Sequence, residues 1–103
     1  MVWFLIGELT YFKSDPGNDC AKGLRSIDNL LECEYLAEHL KKSLELIKSS
    51  DFLGPYRPKG CYLLKDKEVY FNEHAIGYNE YQYGSKFCKL GTQKIVIFHY
   101  HKY

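Results

Sequence analysis

Four cysteines and four histidines are the residues of this chain whose types could do chemistry. The cysteines are widely separated, and they are Cys20, Cys33, Cys61 and Cys88. No two of them form a C-x-x-C pair, so the usual zinc-knuckle and thioredoxin-like spacings are missing. Two interpretations stay open. The first is a pair of disulfides, for which four cysteines allow three connectivities. The second is an intracellular domain in which cysteines and histidines hold zinc.

The histidines offer little support for a metal site or for catalysis. His99 and His101 would share one side of a strand and could chelate a metal together, but no third ligand lies at a telling spacing. His39 and His74 are candidate bases for a cysteine nucleophile, yet no catalytic signature surrounds any cysteine. No glycine-rich phosphate loop occurs either. The sequence therefore predicts a protein that is not an enzyme, with no metal and no cofactor.

Length and charge narrow the class of protein further. A chain of 103 residues forms one domain (1–103) with one modest core. The formal charge of +1 disfavours nucleic-acid binding, which needs a basic field. No apolar run is long enough to span a bilayer. Disulfides need an oxidising compartment, but the run Val2–Ile6 is too short for the apolar region of a signal peptide. We therefore expect that the chain is already processed, that it is a piece of a longer secreted protein, or that its thiols are free.

The segment from Pro58 to Asn72 predicts a central β-hairpin, because two short apolar runs flank the charged tip Lys65–Glu68. Gly60 supplies backbone freedom immediately before Cys61.

Ahead of this hairpin, apolar residues recur at steps of three and four and predict one amphipathic helix. They are Leu30, Cys33, Leu36, Ala37, Leu40, Leu44 and Ile47. Ser26 or Asp28 is the expected N-cap, and Ser49-Ser50 the expected end of the helix. Cys33 lies in the apolar stripe, so its sulfur should point at the core.

Strands and loops complete the predicted plan. Ser85–Leu90 should form a further strand of the sheet. Runs of β-branched and aromatic residues predict outer strands at Val2–Phe12 and Ile95–His101. The turn-forming residues Ser14–Asp19 predict a loop, as does the aperiodic run from Asn72 to Tyr83. The predicted fold class is α+β, with one amphipathic helix packed on a small antiparallel sheet and a core at about residues 20–90.

An ordered set of motifs accompanies the cysteines. It comprises Cys20, Ile27-Asp28-Asn29, Glu32-Cys33, Pro58-Lys59-Gly60-Cys61, Val69-Tyr70-Phe71-Asn72 and Cys88. In this pattern the chain resembles a small cysteine-framework module of extracellular and surface proteins from algae, protists and their large DNA viruses. The resemblance covers about residues 20–90. It departs at Tyr35-Leu36-Ala37, where that family prefers two consecutive alanines. The plan is also loosely similar to PAN/apple modules.

The resemblance implies an extracellular or cell-surface setting and brings no activity with it. Together with the spacing, it implies the disulfides Cys33–Cys61 and Cys20–Cys88. A helix would then be bridged to the sheet, and the first loop would be fastened to the last part of the core.

The candidate contact face is the aromatic loop after the hairpin. Its tyrosines Tyr78, Tyr81 and Tyr83 resemble the large amphipathic side chains that binding loops use, and His74 and Glu80 flank them. The alternative is that these rings only cover a small core.

The sequence thus predicts a secreted or cell-surface module that binds a protein or a glycan, with no membrane span. The alternative from another class is a structural subunit, whose strands Val2–Phe12 and Ile95–Tyr100 would offer an apolar edge to a larger complex.

Overall fold

The computed structural model describes residues 11–90, and within them one helix packs on a mixed six-stranded sheet. The elements in chain order are β1 (Phe12–Lys13), β2 (Leu24–Ser26), α1 (Leu30–His39), β3 (Leu44–Ile47), a 3-10 helix (Gly54–Tyr56), β4 (Gly60–Leu64), β5 (Glu68–Asn72) and β6 (Gly84–Leu90). The sheet order is β1-β6-β4-β5-β3, and β2 also pairs with β6. The predicted α+β class is confirmed. The sheet is mixed because β3 runs parallel to β5.

The predicted central hairpin is β4 and β5, which pair antiparallel with Cys61 opposite Phe71 and Leu63 opposite Val69. Lys65 and Asp66 have positive φ angles of 50° and 60°, the twist that tight hairpin turns require. Alternation along the two strands sends these four apolar side chains toward α1. Strand β6 flanks β4 on its other edge, so the hairpin lies inside the sheet, as predicted.

The predicted helix is correct in its first half and wrong in its second. α1 ends at His39, and Lys41 takes the left-handed conformation with φ 57°. Leu44–Ile47 then forms the edge strand β3, with Leu44 beside Val69. Leu44 and Ile47 continue the helical spacing, but on a strand a step of three places the two side chains on opposite faces. Pairing with β5 adds backbone hydrogen bonds that a longer helix could not make with the sheet. Ser49-Ser50 therefore follows a strand.

The helix begins at a residue that the sequence interpretation did not choose. Asn29 is the N-cap, and its Oδ1 accepts hydrogen bonds from the backbone N–H groups of Leu31 (2.8 Å) and Glu32 (3.2 Å). Neither Ser26 nor Asp28 has this role, because Ser26 is the last residue of β2 and Asp28 lies one position too early.

Two disulfides join these elements, Cys33 to Cys61 and Cys20 to Cys88, as the resemblance implied. The first ties α1 to β4 through a fully buried pair of half-cystines. It lies within a core formed by the inward faces of the helix and the sheet. The core residues are Ile27, Cys33, Leu36, Ala37, Cys61, Leu63, Val69, Phe71 and Phe87.

Gly60 lets β2 approach β4 at the point where this core begins. Its φ is 81°, and a Cβ at this position would lie 2.8 Å from the carbonyl oxygen of Ile27. That same oxygen accepts a hydrogen bond of 2.9 Å from the Cys61 N–H. The predicted need for backbone freedom before Cys61 is confirmed, and it has a steric cause.

A buried ion pair adds a second link between α1 and the sheet. The Lys89 ammonium lies 3.0 and 3.1 Å from the two carboxylate oxygens of Glu32, and both side chains are nearly buried. Removal of one partner would leave the other charge uncompensated, so this pair fixes the register of the helix on β6.

Part of the sequence interpretation falls outside the described residues. The predicted strand at Val2–Phe12 is described only from Tyr11 onward, and the one at Ile95–His101 lies wholly outside. The apolar edge of the assembly alternative depends on these same strands. The loop at residues 14–19 and the strand at Ser85–Leu90 lie within the described part of the chain and agree with prediction.

We predict that the two disulfides are reduced in sequence. Cys33 and Cys61 are both 0 % exposed, whereas Cys20 is partly exposed and Cys88 lines an open groove of about 360 Å³ beside Asp15 and Asp19. Because exchange needs access for the attacking thiolate, limiting dithiothreitol should release Cys20 and Cys88 first. Alkylation followed by peptide mapping measures the order.

Reduction in denaturant, where access is equal, is the control for this experiment. Labelling of Cys33 or Cys61 ahead of Cys20 in the folded protein would contradict the burial argument. Before reduction, the intact mass should lie four hydrogens below that of the fully reduced chain, because each of the two disulfides removes two hydrogens.

Candidate functional site

A buried asparagine at the end of β5 organises the candidate site. Asn72 is 1 % exposed, and its side-chain amide donates to three carbonyl oxygens, those of Gly54 (2.8 Å), Arg57 (3.2 Å) and Pro58 (3.0 Å). Its Oδ1 accepts from the His74 N–H at 3.0 Å. One side chain therefore fastens two segments together, which we call the first loop (residues 51–59) and the second loop (residues 73–83).

The two loops lie against each other closely enough to require glycine at the contacts. A Cβ on Gly54 would lie 2.6 Å from the His74 side chain, and one on Gly77 would lie 2.6 Å from the Lys59 backbone nitrogen. The Tyr78 N–H donates to the Arg57 carbonyl at 2.8 Å, and the Lys59 ammonium donates to the His74 carbonyl at 3.0 Å. The pair of loops is thus a fixed structure, although neither contains a strand.

Large apolar side chains extend from these two loops into solvent. Phe52 is 79 % exposed and Tyr56 65 % on the first loop, and Ile76 is 67 % and Tyr78 48 % on the second. We call these four side chains the loop face. They are four of the nine large apolar residues that are exposed in the described part of the chain; of the other five, Tyr83 lies at the end of the second loop and the rest lie on α1 and the strands.

Beside the loop face, a cation and four tyrosines cover the side of the sheet opposite α1. Tyr62 and Tyr70 are cross-strand neighbours whose rings stack 5.5 Å apart. The Arg57 guanidinium lies 4.4 Å from the centre of the Tyr81 ring, a cation–π contact. Tyr81 meets Tyr83 edge-on at 5.6 Å, and the Lys65 ammonium lies 5.1 Å from the Tyr83 ring.

The hydroxyl of Tyr62 has no hydrogen-bond partner among the described residues, although its side chain is fully buried. Burial raises the pKa of Tyr62 far above its ordinary value of 10.0, and the nearby Arg57 guanidinium acts against that shift. Burial also raises the pKa of Tyr70 and Tyr35. Tyr62 therefore keeps its proton well above neutral pH, and its hydroxyl is available there as a donor.

The structure separates the five residues predicted for the contact face. Tyr78 is on the loop face, whereas Tyr81 turns inward beneath Arg57 and Tyr83 lies beside Lys65 at the hairpin tip. His74 is half-buried, and its Nδ1 accepts from the Ile76 N–H at 3.1 Å. Glu80 is exposed. The second loop thus contains both side chains that cover the sheet and side chains that face solvent.

Sequence reasoning did not single out the residues that complete the site. Phe52 and Tyr56 lie in a glycine- and proline-containing segment that cannot bury them in a regular element, and this composition is the signal that was available. Asn72 ends an otherwise apolar strand, a position where a buried polar side chain must find partners. The role of Arg57 has no such signal, because it depends on Tyr81, which is distant in sequence.

The described residues do not assemble a nucleophile or a metal cluster. All four cysteines are half-cystines, so none of them is a thiolate for catalysis or for zinc, which contradicts the alternative in which cysteines and histidines hold zinc. His39 stacks on Tyr35, with ring centres 6.1 Å apart. Residues 11–90 contain no group of three or more His, Cys, Asp or Glu residues that could hold a metal ion. His99 and His101 lie outside this range.

Comparison of the chain with protein-family models, with curated proteins and with solved structures gives no match. Within the described residues, no helix has the length and apolar character needed to cross a membrane.

We predict that Asn72→Ala lowers the free energy of unfolding by about 3 kcal/mol, because it removes four hydrogen bonds and leaves buried carbonyl groups without a donor. Urea denaturation measures the change. Asn18→Ala is the matched control, since Asn18 is exposed, and it should stay within about 0.5 kcal/mol of the parent protein. Equal stability of the two variants would contradict the role of Asn72.

We predict that the protein loses stability above pH 10, where Tyr62 in the unfolded chain ionises and Tyr62 in the folded chain does not. The raised pKa contributes stability below this pH, and the contribution falls by about 1.4 kcal/mol per pH unit above it. Tyr62→Phe should reduce this slope when unfolding is measured from pH 8 to 11. Tyr83→Phe, which alters a half-exposed ring, is the control. The same slope in both variants would contradict the prediction.

Proposed function

We propose that this chain is an extracellular or cell-surface module that binds a partner protein through the loop face. The observation that carries the proposal is the exposure of Phe52, Tyr56, Ile76 and Tyr78 on two loops that a buried asparagine holds in place. Exposed apolar groups cost free energy in water, so their concentration on a fixed surface favours an interaction site.

Rigidity of the loops supports binding rather than simple exposure. A flexible loop loses conformational freedom when it binds, and this loss weakens affinity. Here the Asn72 hydrogen bonds and the glycine contacts have already ordered both loops in the free protein. Tyrosine and phenylalanine then supply large contact area with few rotatable bonds. The arrangement resembles a preorganised contact surface.

The chemistry of the loop face favours a protein over a glycan. Phe52 and Ile76 have no polar atom in their side chains, so they gain most from apolar side chains of a partner. A glycan presents hydroxyl groups that need matching donors and acceptors, and on this face only the two tyrosines offer one. The two disulfides and the resemblance to extracellular cysteine-framework modules support the proposed setting.

We predict that peptides selected against the folded protein bind at the loop face. A phage-displayed random peptide library provides the probes, and the variant Phe52→Ser/Tyr56→Ser/Ile76→Ser should bind the selected peptides at least about thirtyfold more weakly, because it removes three anchor side chains. Calorimetry or surface plasmon resonance measures the affinities. Both proteins should melt at similar temperatures, since the altered side chains are exposed.

The control removes three other exposed apolar side chains, although each of them is less exposed than its loop-face counterpart. Leu31, Leu46 and Leu90 are 44 %, 42 % and 45 % exposed on α1, β3 and β6, and their triple serine variant should retain peptide binding. Equal losses in the two variants would show that selection followed hydrophobicity alone and would overturn the proposal. Saturable binding of free oligosaccharides at the loop face would assign the site to a glycan and would also overturn it.

A further inference from the structure

Arg57 has no acidic partner in the described part of the chain. The ion pairs there join Lys13 to Asp66, Lys86 to Asp19 and Lys89 to Glu32. Of the thirteen acidic residues, only Glu8 lies outside residues 11–90. Arg57 instead stacks on Tyr81, and its side chain is partly exposed.

Two lysines of this part of the structure, unlike Arg57, already have oxygen partners. The Lys59 ammonium donates to the His74 carbonyl, and the buried Lys86 ammonium lies 3.2 Å from Asp19 and donates to Asn79. The cation–π contact with Tyr81 uses no N–H donor in a hydrogen bond to oxygen, so these donors can still form a bidentate pair with a planar acceptor.

A second donor without an acceptor lies beside this cation. The Tyr62 hydroxyl is buried without an acceptor for its proton among the described residues, and Arg57, which can only donate to it, is the charged group with the largest influence on it. An unpaired buried hydroxyl costs free energy, so a group that accepts from it is favoured. The Arg57 guanidinium and the Tyr62 hydroxyl therefore both lack an acceptor, and an anionic oxygen could serve both.

Arg57 is also continuous with the loop face. It follows Tyr56 in the chain, and its carbonyl accepts from the Tyr78 N–H at 2.8 Å. A partner seated on the loop face would therefore place some of its side chains next to the guanidinium. Arginine flanked by tyrosines is a composition that dominates the energetics of many protein interfaces.

We infer that the partner protein inserts an aspartate or glutamate carboxylate that accepts hydrogen bonds from the Arg57 guanidinium and the Tyr62 hydroxyl. This inference rests on the proposed function and names the chemistry of the partner. A planar carboxylate matches the guanidinium fork in a bidentate pair. Because the Tyr62 hydroxyl is buried and Arg57 is partly exposed, a small shift of the Arg57 side chain must accompany entry of the carboxylate.

The test needs no knowledge of the natural partner. The capped peptide N-acetyl-Gly-Glu-Gly-amide and its glutamine counterpart are titrated at constant ionic strength into the folded protein, and the Arg57 Nε–H signal is followed by NMR. We expect saturable shifts with the glutamate peptide and at least about tenfold weaker binding of the glutamine peptide, because only a carboxylate forms the charge-assisted pair.

Variants separate the two donors. Arg57→Lys keeps the charge and loses the planar fork, so binding of the glutamate peptide should weaken about tenfold, and Tyr62→Phe should weaken it several-fold. Arg25→Lys is the matched control, because Arg25 is exposed on β2 and the only other arginine. It should leave binding unchanged.

Several outcomes would overturn the inference. They are equal binding of the two peptides, an Arg57→Lys protein that binds like the parent, and a Tyr62→Phe protein that does so. Inorganic phosphate that competes more strongly than acetate would assign the cation to a phosphate-bearing ligand instead. Failure of these titrations with loop-face peptides still selected would leave the proposed function intact. If the peptide selection fails but the protein still responds specifically to the glutamate peptide, the proposed function would be contradicted and the carboxylate site would stand.

Discussion

The Cys33–Cys61 disulfide is the constraint on which the fold depends. Helix α1 has only ten residues, and an isolated helix of that length is unstable in water. Its inward face contributes few apolar side chains to the core, chiefly Leu36 and Ala37 beside the half-cystine itself. In the chain-entropy model, closing a 28-residue separation stabilises the folded state by about 3.6 kcal/mol. That is a large fraction of the stability of a small domain. The bond also joins α1 to the strand at the centre of the sheet.

The position of this bond explains why the site lies where it does. With one face of the sheet closed by α1, the opposite face needs other cover, and the second loop provides part of it by placing Tyr81 over the sheet near Tyr62. Asn72 then connects the end of β5 to both loops. Both loops are therefore held in place by the same sheet that the Cys33–Cys61 disulfide joins to α1.

Much of this fold is visible in the sequence because it depends on local pattern. The hairpin follows from two alternating apolar runs around a charged turn, and the conformation of Gly60 follows from its place before Cys61. The error at Leu44–Ile47 has a different origin. Its apolar spacing continues that of the helix, and the segment nevertheless forms a strand because it pairs with the edge of β5, which is distant in sequence. The N-cap at Asn29 lies one position after Asp28 and three after Ser26, the two expected residues.

The site is less visible because it depends on contacts between distant segments. The tyrosines of the second loop were recognised by composition, but composition does not tell which ring turns inward. Tyr81 is held by Arg57 from the first loop, and Tyr83 lies beside Lys65 from the hairpin. Tyr78 and Tyr83 are exposed to the same extent, but Tyr83 lies beside the hairpin tip, so Tyr78 is the one assigned with Phe52, Tyr56 and Ile76 to the loop face.

The contact between Arg57 and Tyr81 affects how the guanidinium can recognise a partner. A ring that only covered the sheet would need no cation above it, and an exposed arginine would usually lie near a carboxylate. Neither expectation holds here. The Arg57 guanidinium lies over the packed ring of Tyr81, and it pairs with no acid among the described residues. Holding a guanidinium this way reduces its freedom and partly removes it from water before any partner arrives. Both effects strengthen a subsequent charge-assisted hydrogen bond, since less entropy and less hydration are lost on binding. The same packing that completes a small fold thus prepares one cation for an acceptor that this part of the chain does not supply.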